Sequence, residues 1–192
     1  QLYYNEKDYD RAISEGNSLL NESLSKEYSA EVHKIIGESY FMKGDYNSAY
    51  PHLKIYLESK QTPSESDLYE MGFVSAQLKK YDEAVSYYNQ LINSNSSTSQ
   101  NAYYQLGNAY LAVGKKQEAL SAFRSAYQMS YDVKVQQLAH LQYAKLSYDI
   151  GNPFESASNV IQSYLSKYPT SSGVTEMRSL LMKSYLYSGD YK

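Results

Sequence analysis

One phrase recurs along this chain at a nearly fixed interval, and that interval limits the fold more than any other feature. "EKDYDRAISEG", "KGDYNSAYPHL", "KKYDEAVSYYN" and "GKKQEALSAFR" are variants of it, and the final residues "GDYK" begin it again. Its alanine stands at Ala12, Ala49, Ala84, Ala119 and Ala157, with separations of 37, 35, 35 and 38 residues. Twelve or thirteen residues upstream sits a second small residue: Gly37, Gly72, Gly107 or Ala144. A period of this length means one supersecondary unit stacked on copies of itself, because each unit is too small to bury its own apolar face. Two small residues per unit, at a constant offset, mark points where two elements press together.

Both elements read as helices. In "NAYYQLGNAYLAVG" the residues Tyr103, Leu106, Gly107 and Tyr110 fall at i, i+3, i+4 and i+7, one helical face. Gly114 then ends the helix. "QEALSAFRSAY" places Ala119, Ala122, Phe123 and Ala126 on one face of a second helix. Gly44 and Gly151 occupy the turn position in other units, whereas Lys7 and Lys79 stand there in "EKDYDRA" and "LKKYDEA". The turn therefore tolerates a side chain.

The unit resembles the tetratricopeptide repeat (TPR), whose pattern runs W-x2-L-G-x2-Y, then A-x3-F, then P over about 34 residues. The fourth unit fits with Tyr103 in the Trp slot, then Leu106, Gly107, Tyr110, Ala119 and Phe123; the second has His33, Ile36, Gly37, Tyr40, Ala49 and Leu53. The third has Leu68, Met71, Gly72, Ser75, Ala84 and Tyr88, and the fifth His140, Tyr143, Ala144, Ser147, Ala157, Ile161 and Pro169. No unit has Trp, and "GNPFESAS" carries one extra residue that lengthens a turn or shifts the next helix start. The resemblance implies an all-α, right-handed α-α superhelix of antiparallel helix hairpins, a TPR solenoid forming a single array over 1–192. Its repeats are approximately 1–29 (partial), 30–64, 65–99, 100–136, 137–174 and 175–192 (partial). Neither end has the polar capping helix that closes a solenoid, so the chain reads as a piece of a longer array, in a protein of bacterial type.

Composition and motifs narrow the function. The 21 acidic and 18 basic residues are scattered singly, giving a net charge of −3. The missing polybasic cluster argues against a nucleic-acid partner. No apolar run approaches the roughly eighteen residues of a membrane span, so direct membrane insertion is not expected. Cysteine is absent, which excludes disulfides and thiolate metal ligands. His33, His52 and His140 form no HExxH and no helical pair, and His33 and His140 occupy apolar Trp slots; they read as packing residues. Glu65, Asp67 and Glu70 read as solvated charges or helix caps. With no phosphate-binding glycine loop and no G-x-S-x-G elbow, the expectation is a chain without cofactor, metal or catalytic residues. "NSNSSTSQ" (Asn93 to Gln100) reads as an inter-repeat loop that also caps a helix.

Tyrosine is the outlier, with 24 copies against 4 Phe and no Trp. Tyr3, Tyr40, Tyr110 and Tyr185 fill the tyrosine slot, and Tyr9, Tyr46, Tyr81 and Tyr191 open second helices, all packing positions. By the resemblance, first helices line a concave groove that holds a protein or peptide segment. The groove positions are then Lys34, Glu38 and Phe41; Tyr69, Phe73 and Ala76; Tyr104, Asn108 and Leu111; and Leu141, Lys145 and Tyr148. Each set shares one helical face. Tyr69, Phe73 and Tyr104 would form an aromatic centre of the anchor type, although Phe73 and Leu111 equally suit packing between repeats. The carboxylate clamp of chaperone-binding TPR domains is not assembled, because Glu38 follows Lys34 and Tyr104 accompanies Asn108. The leading expectation is a non-catalytic protein-interaction scaffold. The alternative is a glycan-binding module similar to exported TPR-like lipoproteins, and a catalytic domain elsewhere is a third class. The tyrosine-rich, cysteine-free repeats are similar in flavour to exported bacterial TPR proteins, which favours a periplasmic or outer-membrane-associated location.

Overall fold

The computed structural model describes residues 1–188. Among them are eleven α-helices and no strand: α1 (Leu2–Asn5), α2 (Tyr9–Leu20), α3 (Lys26–Met42), α4 (Tyr46–Glu58), α5 (Glu65–Gln77), α6 (Tyr81–Asn89), α7 (Ser97–Ala112), α8 (Lys116–Gln128), α9 (Val133–Ile150), α10 (Ala157–Lys167) and α11 (Val174–Ser188). Two compact units divide the chain, Gln1–Gln90 and Leu91–Lys192. The "GDYK" echo and Tyr191 lie outside the described residues.

Helices pair as antiparallel hairpins. Along α3 and α4, Lys34 meets Tyr56, Gly37 meets Leu53 and Phe41 meets Tyr46, so later residues of one helix face earlier residues of the other. The turn that reverses the chain is the same in several units. Asp8, Asp45, Lys80 and Lys115 each return an N–H to a carbonyl five residues back, on Tyr3, Tyr40, Ser75 and Tyr110. That closure needs a left-handed residue just before it, and Lys7 (φ 63°), Gly44 (76°), Lys79 (61°) and Gly114 (77°) supply it. The next helix starts at once, with Asp8 and Asp45 side chains accepting the Arg11 and Ser48 N–H groups.

Each hairpin closes on a small residue. A Cβ added at Gly37 would lie 2.8 Å from Leu53, at Gly72 2.8 Å from Tyr88, and at Gly107 2.6 Å from Phe123. Ala49, Ala84 and Ala119 are fully buried on the opposing helices. The first unit is filled by Ile13, Val32 and Ile36 and by Leu53, Met71 and Val74; the second by Phe123, Tyr143, Ile161, Tyr164 and Met177.

The fifth repeat departs where its extra residue falls. α9 ends at Ile150 and α10 begins only at Ala157 itself, so Ala157 is half-buried at a helix start rather than sealed inside one. Asn152 ties the longer connection down, donating to the Tyr143 hydroxyl and to Ser147 Oγ, both at 2.8 Å. The serine-rich segment before α7 is likewise built in. Ser96 caps the helix, Ser99 Oγ donates to the Leu91 carbonyl (2.6 Å), and the fully buried Gln100 holds the backbone of Ala126, Met129 and Asp132.

Tyr88 carries a ring where the repeat pattern has Phe, and its buried hydroxyl has no hydrogen-bond partner among the described residues. Such a group costs about 1–3 kcal/mol. Tyr88→Phe should therefore raise stability by about 1 kcal/mol in a guanidinium melt, while Gly107→Leu should lower it by about 1–3 kcal/mol through overpacking against Phe123. An unchanged midpoint for Gly107→Leu would contradict the hairpin register.

Candidate partner-binding faces

The first-helix positions of the first unit carry the most chemistry. Lys34, on α3, extends its ammonium to Asp67 Oδ1 of α5 (2.9 Å) and to the Tyr56 hydroxyl of α4 (3.2 Å), with Glu38 Oε1 at 3.7 Å. Asp67 is buried and serves twice, because it also closes the capping box at the start of α5: Ser64 N–H donates to Asp67 Oδ2 (3.1 Å), and Asp67 N–H donates to Ser64 Oγ (3.2 Å). Glu70, one turn further along α5, is half-buried beside the same charges. Of the two readings given to these acids, solvated charge or cap, Asp67 is a cap, though a buried one that also holds Lys34, and Glu70 is half-buried rather than solvated.

One ammonium among three carboxylates leaves negative charge unbalanced, and the titration behaviour reflects this. Burial, then the charge of Glu38, pushes Glu70 up to about 7, with Lys34 only partly opposing the shift. Glu38 is also raised, by burial first, with Lys34 opposing and Asp67 adding to it. At Asp67 burial acts upward, but hydrogen bonds from Ser64 and Lys34 outweigh it and hold the carboxyl below its ordinary value. At Lys34 burial opposes the charge, and its bonds to Asp67 and Tyr56 prevail, so its pKa is raised. Tyr4, on α1, is pushed up to about 12 by burial and then by Glu38 and Glu70.

Beside this cluster an open pocket of about 540 Å³ is lined by Tyr4, Glu27, Tyr28, Glu31, Lys34 and Glu38. Tyr28 is 71% exposed there. Of the groove positions expected from the sequence, Lys34 and Glu38 reach this pocket. Tyr69 packs on Tyr88 across its own hairpin, with ring centroids 5.9 Å apart. Phe73 sits edge-on between Phe41 and Tyr46, so it packs between adjacent repeats. In the second unit Tyr104 leans on Phe123 (5.8 Å), Asn108 Nδ2 donates to Gln105 (3.4 Å) and Lys145 pairs with Glu176 (2.7 Å). Leu141 and Tyr148 pack against that unit's core. Tyr4, Glu27, Tyr28 and Glu31 were not expected at a site. Tyr4 directly follows the tyrosine slot and Tyr28 opens a first helix, so the repeat pattern gave no reason to mark them.

The tetratricopeptide-repeat family model matches residues 68–98 and 100–132, two consecutive units of the array. The chain is a tetratricopeptide-repeat protein. A TPR repeat-containing protein of Methanocaldococcus jannaschii is 30% identical over 130 residues, covering 67% of this chain and 22% of that relative; the chain thus spans about a fifth of the relative's length. Among solved structures, MamA superposes with a TM-score of 0.69 at 21% identity, covering 87% of this chain and 92% of MamA. YrrB, described as a TPR protein with an unusual peptide-binding site, superposes with a TM-score of 0.70 at 20% identity, covering 88% and 82%. At these identities the likeness concerns the TPR fold. Among the described residues no group of three or more His, Asp or Glu is disposed to hold a metal, and no helix is long and apolar enough to cross a membrane.

The sign of the Glu70 linkage follows from its raised value. Its carboxyl carries no penalty below its ordinary range, and the fold loses stability as pH rises from about 4.5 through about 7. Glu70→Gln keeps the shape without the charge. It should leave stability at pH 4 nearly unchanged and raise it at pH 8 by about 1–2 kcal/mol, the figure reduced for the partly wet edge. Paired urea melts at the two pH values would show it, and an equal effect at both would refute the assignment.

Proposed function

We propose that this TPR array is a non-catalytic scaffold that captures a segment of another protein on the first-helix face of its N-terminal unit, and that the segment carries a basic side chain. The observation behind the proposal is the pocket bounded by α1 and α3. Its walls offer the tyrosine rings of Tyr4 and Tyr28 and the carboxylates of Glu27 and Glu38, with Glu31 at the rim already paired with Lys60 (2.6 Å). The one ammonium among them, Lys34, already serves Asp67 and Tyr56. An incoming Lys or Arg would find aromatic faces for its charge and stem and carboxylates for its head group. It would also offset the neighbouring negative charge that, after burial, raises Glu38 and Glu70. The peptide-binding site of YrrB, on the same fold, makes a peptide segment a natural class of partner.

Tyr69, Phe73, Tyr104, Asn108, Leu141, Lys145 and Tyr148 belong to the proposal as secondary positions on first-helix faces. Several also serve packing or ion pairs, so substitutions there mix binding with stability. Tyr28 and Glu27 are exposed and give a cleaner test. An array of random dodecapeptides probed with the protein should return sequences enriched in Lys and Arg. The double variant Tyr28→Ala, Glu27→Gln should weaken the best of them by ten-fold or more, with an unchanged thermal midpoint. Hits without basic enrichment, or undiminished binding by the variant, would count against this pocket; preferential binding of oligosaccharides would move the function to a different class.

A further inference from the structure

His33 and His52 take no part in the pocket. They face one another across the α3–α4 hairpin, with Nδ1 atoms 2.8 Å apart and ring centroids at 4.9 Å. Both rings are half-buried. Two imidazole nitrogens approach this closely only when one carries the proton and the other offers its lone pair. Among the described residues neither ring has a second hydrogen bond. The proton inventory follows. In the neutral pair one ring donates Nδ1–H and keeps a bare Nε2, while the other accepts at Nδ1 and carries its hydrogen on Nε2. A first added proton can go to the bare Nε2 and leave the shared bond intact. A second can go only to the accepting Nδ1. That sets N–H against N–H and two positive rings side by side.

Among the described residues no carboxylate acts on either ring. On α3 the ring of Tyr40 lies 6.1 Å from His52, and Glu38 faces Lys34. Asp10 of α2 is paired with Lys43, Asp67 of α5 with Lys34, and Glu83 of α6 accepts from the Tyr50 hydroxyl. Glu70 of α5 faces the Lys34 cluster. What acts on the rings is burial and, at His52, the charge of His33, and both pKa values are lowered.

We propose that the His33–His52 pair is a proton-operated latch, holding the α3–α4 hairpin closed while it contains a shared proton and loosening that hairpin when both rings become imidazolium. Opening lets the rings regain their ordinary values, so the latch holds above about pH 6.5 and weakens as pH falls below it. His33 directly precedes Lys34, whose ammonium bridges α3 to Tyr56 on α4 and Asp67 on α5. Loosening would therefore also disperse the pocket wall, a consequence that rests on the function proposed above. The latch itself does not.

Amide hydrogen exchange of the whole chain tests it without any partner. Protection factors in α3 and α4 should fall between pH 7 and 5 by up to about ten-fold per pH unit for each proton bound on opening. His52→Gln and His33→Gln keep a polar group but cannot form the second imidazolium, so each should show a shallower fall than the wild type, the Glu70 contribution being common to all three. A wild-type fall no steeper than that of either variant overturns the proposal. If a variant fails to fold, long-range ¹H–¹⁵N spectra of the wild type decide alone. At pH 7.5 one ring should show a protonated Nδ1 and the other a bare one, and acidification should give two coupled steps. Independent titration of two identical tautomers would refute the latch. Failure of peptide capture at the pocket leaves both readouts unaffected, so the two proposals fail separately.

Discussion

The contact between a helix-interior glycine and one large side chain sixteen residues later organises three successive hairpins: Gly37 with Leu53, Gly72 with Tyr88, and Gly107 with Phe123. A glycine within a helix costs about 1 kcal/mol relative to alanine, and burying a Leu or an aromatic ring contributes roughly 1.5–3 kcal/mol. The exchange is favourable only if the ring reaches the glycine backbone, and that requirement fixes the rotation of each first helix. Once Gly37 faces α4, the positions one residue later in the helical repeat move to the edge of the hairpin. Lys34 and Glu38 are such positions: Lys34 reaches over that edge to Tyr56 on α4 and on to Asp67 on α5, and Glu38 faces Lys34. Packing inside one hairpin thus determines which side chains its first helix presents outside it.

Polar pairs form a second layer that joins neighbouring hairpins. Asp10 with Lys43, Lys34 with Asp67, Tyr50 with Glu83, and Lys116 with Asp149 are each separated by 33 residues. The exposed ion pairs among them contribute little to stability; Asp10 with Lys43 and Lys116 with Asp149 share one arrangement, the start of a second helix against the end of the next first helix. The Lys34 pair is different because it is partly covered, because Glu38 also meets its ammonium, and because Glu70 lies within reach of its charge. A network serving stability alone would match its charges, as Lys145 and Glu176 do in the second unit. Burial together with the surplus of carboxylate around Lys34 raises Glu38 and Glu70, and the cationic partner proposed above would neutralise that surplus. This asymmetry, more than the pocket's volume, is why the first unit carries the functional proposal.

The helices, their pairing and the small-residue contacts were legible in the sequence because each depends on spacing within one repeat. Gly107 and Phe123 declare themselves through the period, and Lys7 and Lys79 were readable as tolerated turn residues from their place in the phrase. What stayed hidden depends on the neighbouring repeat or on a second use of one side chain. Asp67 looks like a cap and is one, but its burial comes from Lys34, 33 residues away. Gln100 ends a serine-rich run that reads as a linker, yet its amide is fully buried against the next loop. His33 and His52 lie 19 residues apart on different helices, a separation that no single-helix spacing rule examines. Phe73 satisfied the groove pattern and the packing pattern equally, and contacts with Phe41 and Tyr46 were needed to show the packing role.

The tyrosine excess has the same logic. A phenylalanine would fill the slot of Tyr88 without stranding a hydroxyl, so burial alone does not account for the choice of tyrosine at every position. Elsewhere the phenol tip spans from hairpin to connection. The Tyr143 hydroxyl donates to Glu155 and accepts from Asn152, fastening the six-residue link before α10. The Tyr164 hydroxyl meets Ser171 in the segment leading to α11, Tyr103 donates to the Ile92 carbonyl, and Tyr56 receives Lys34. Tyrosine lets one residue act in the apolar interior of a hairpin and at its polar margin, where a repeat protein must join one unit to the next. In a chain without tryptophan or cysteine, that double reach is how irregular connections, such as the one carrying the extra residue of the fifth repeat, are held in a fixed place.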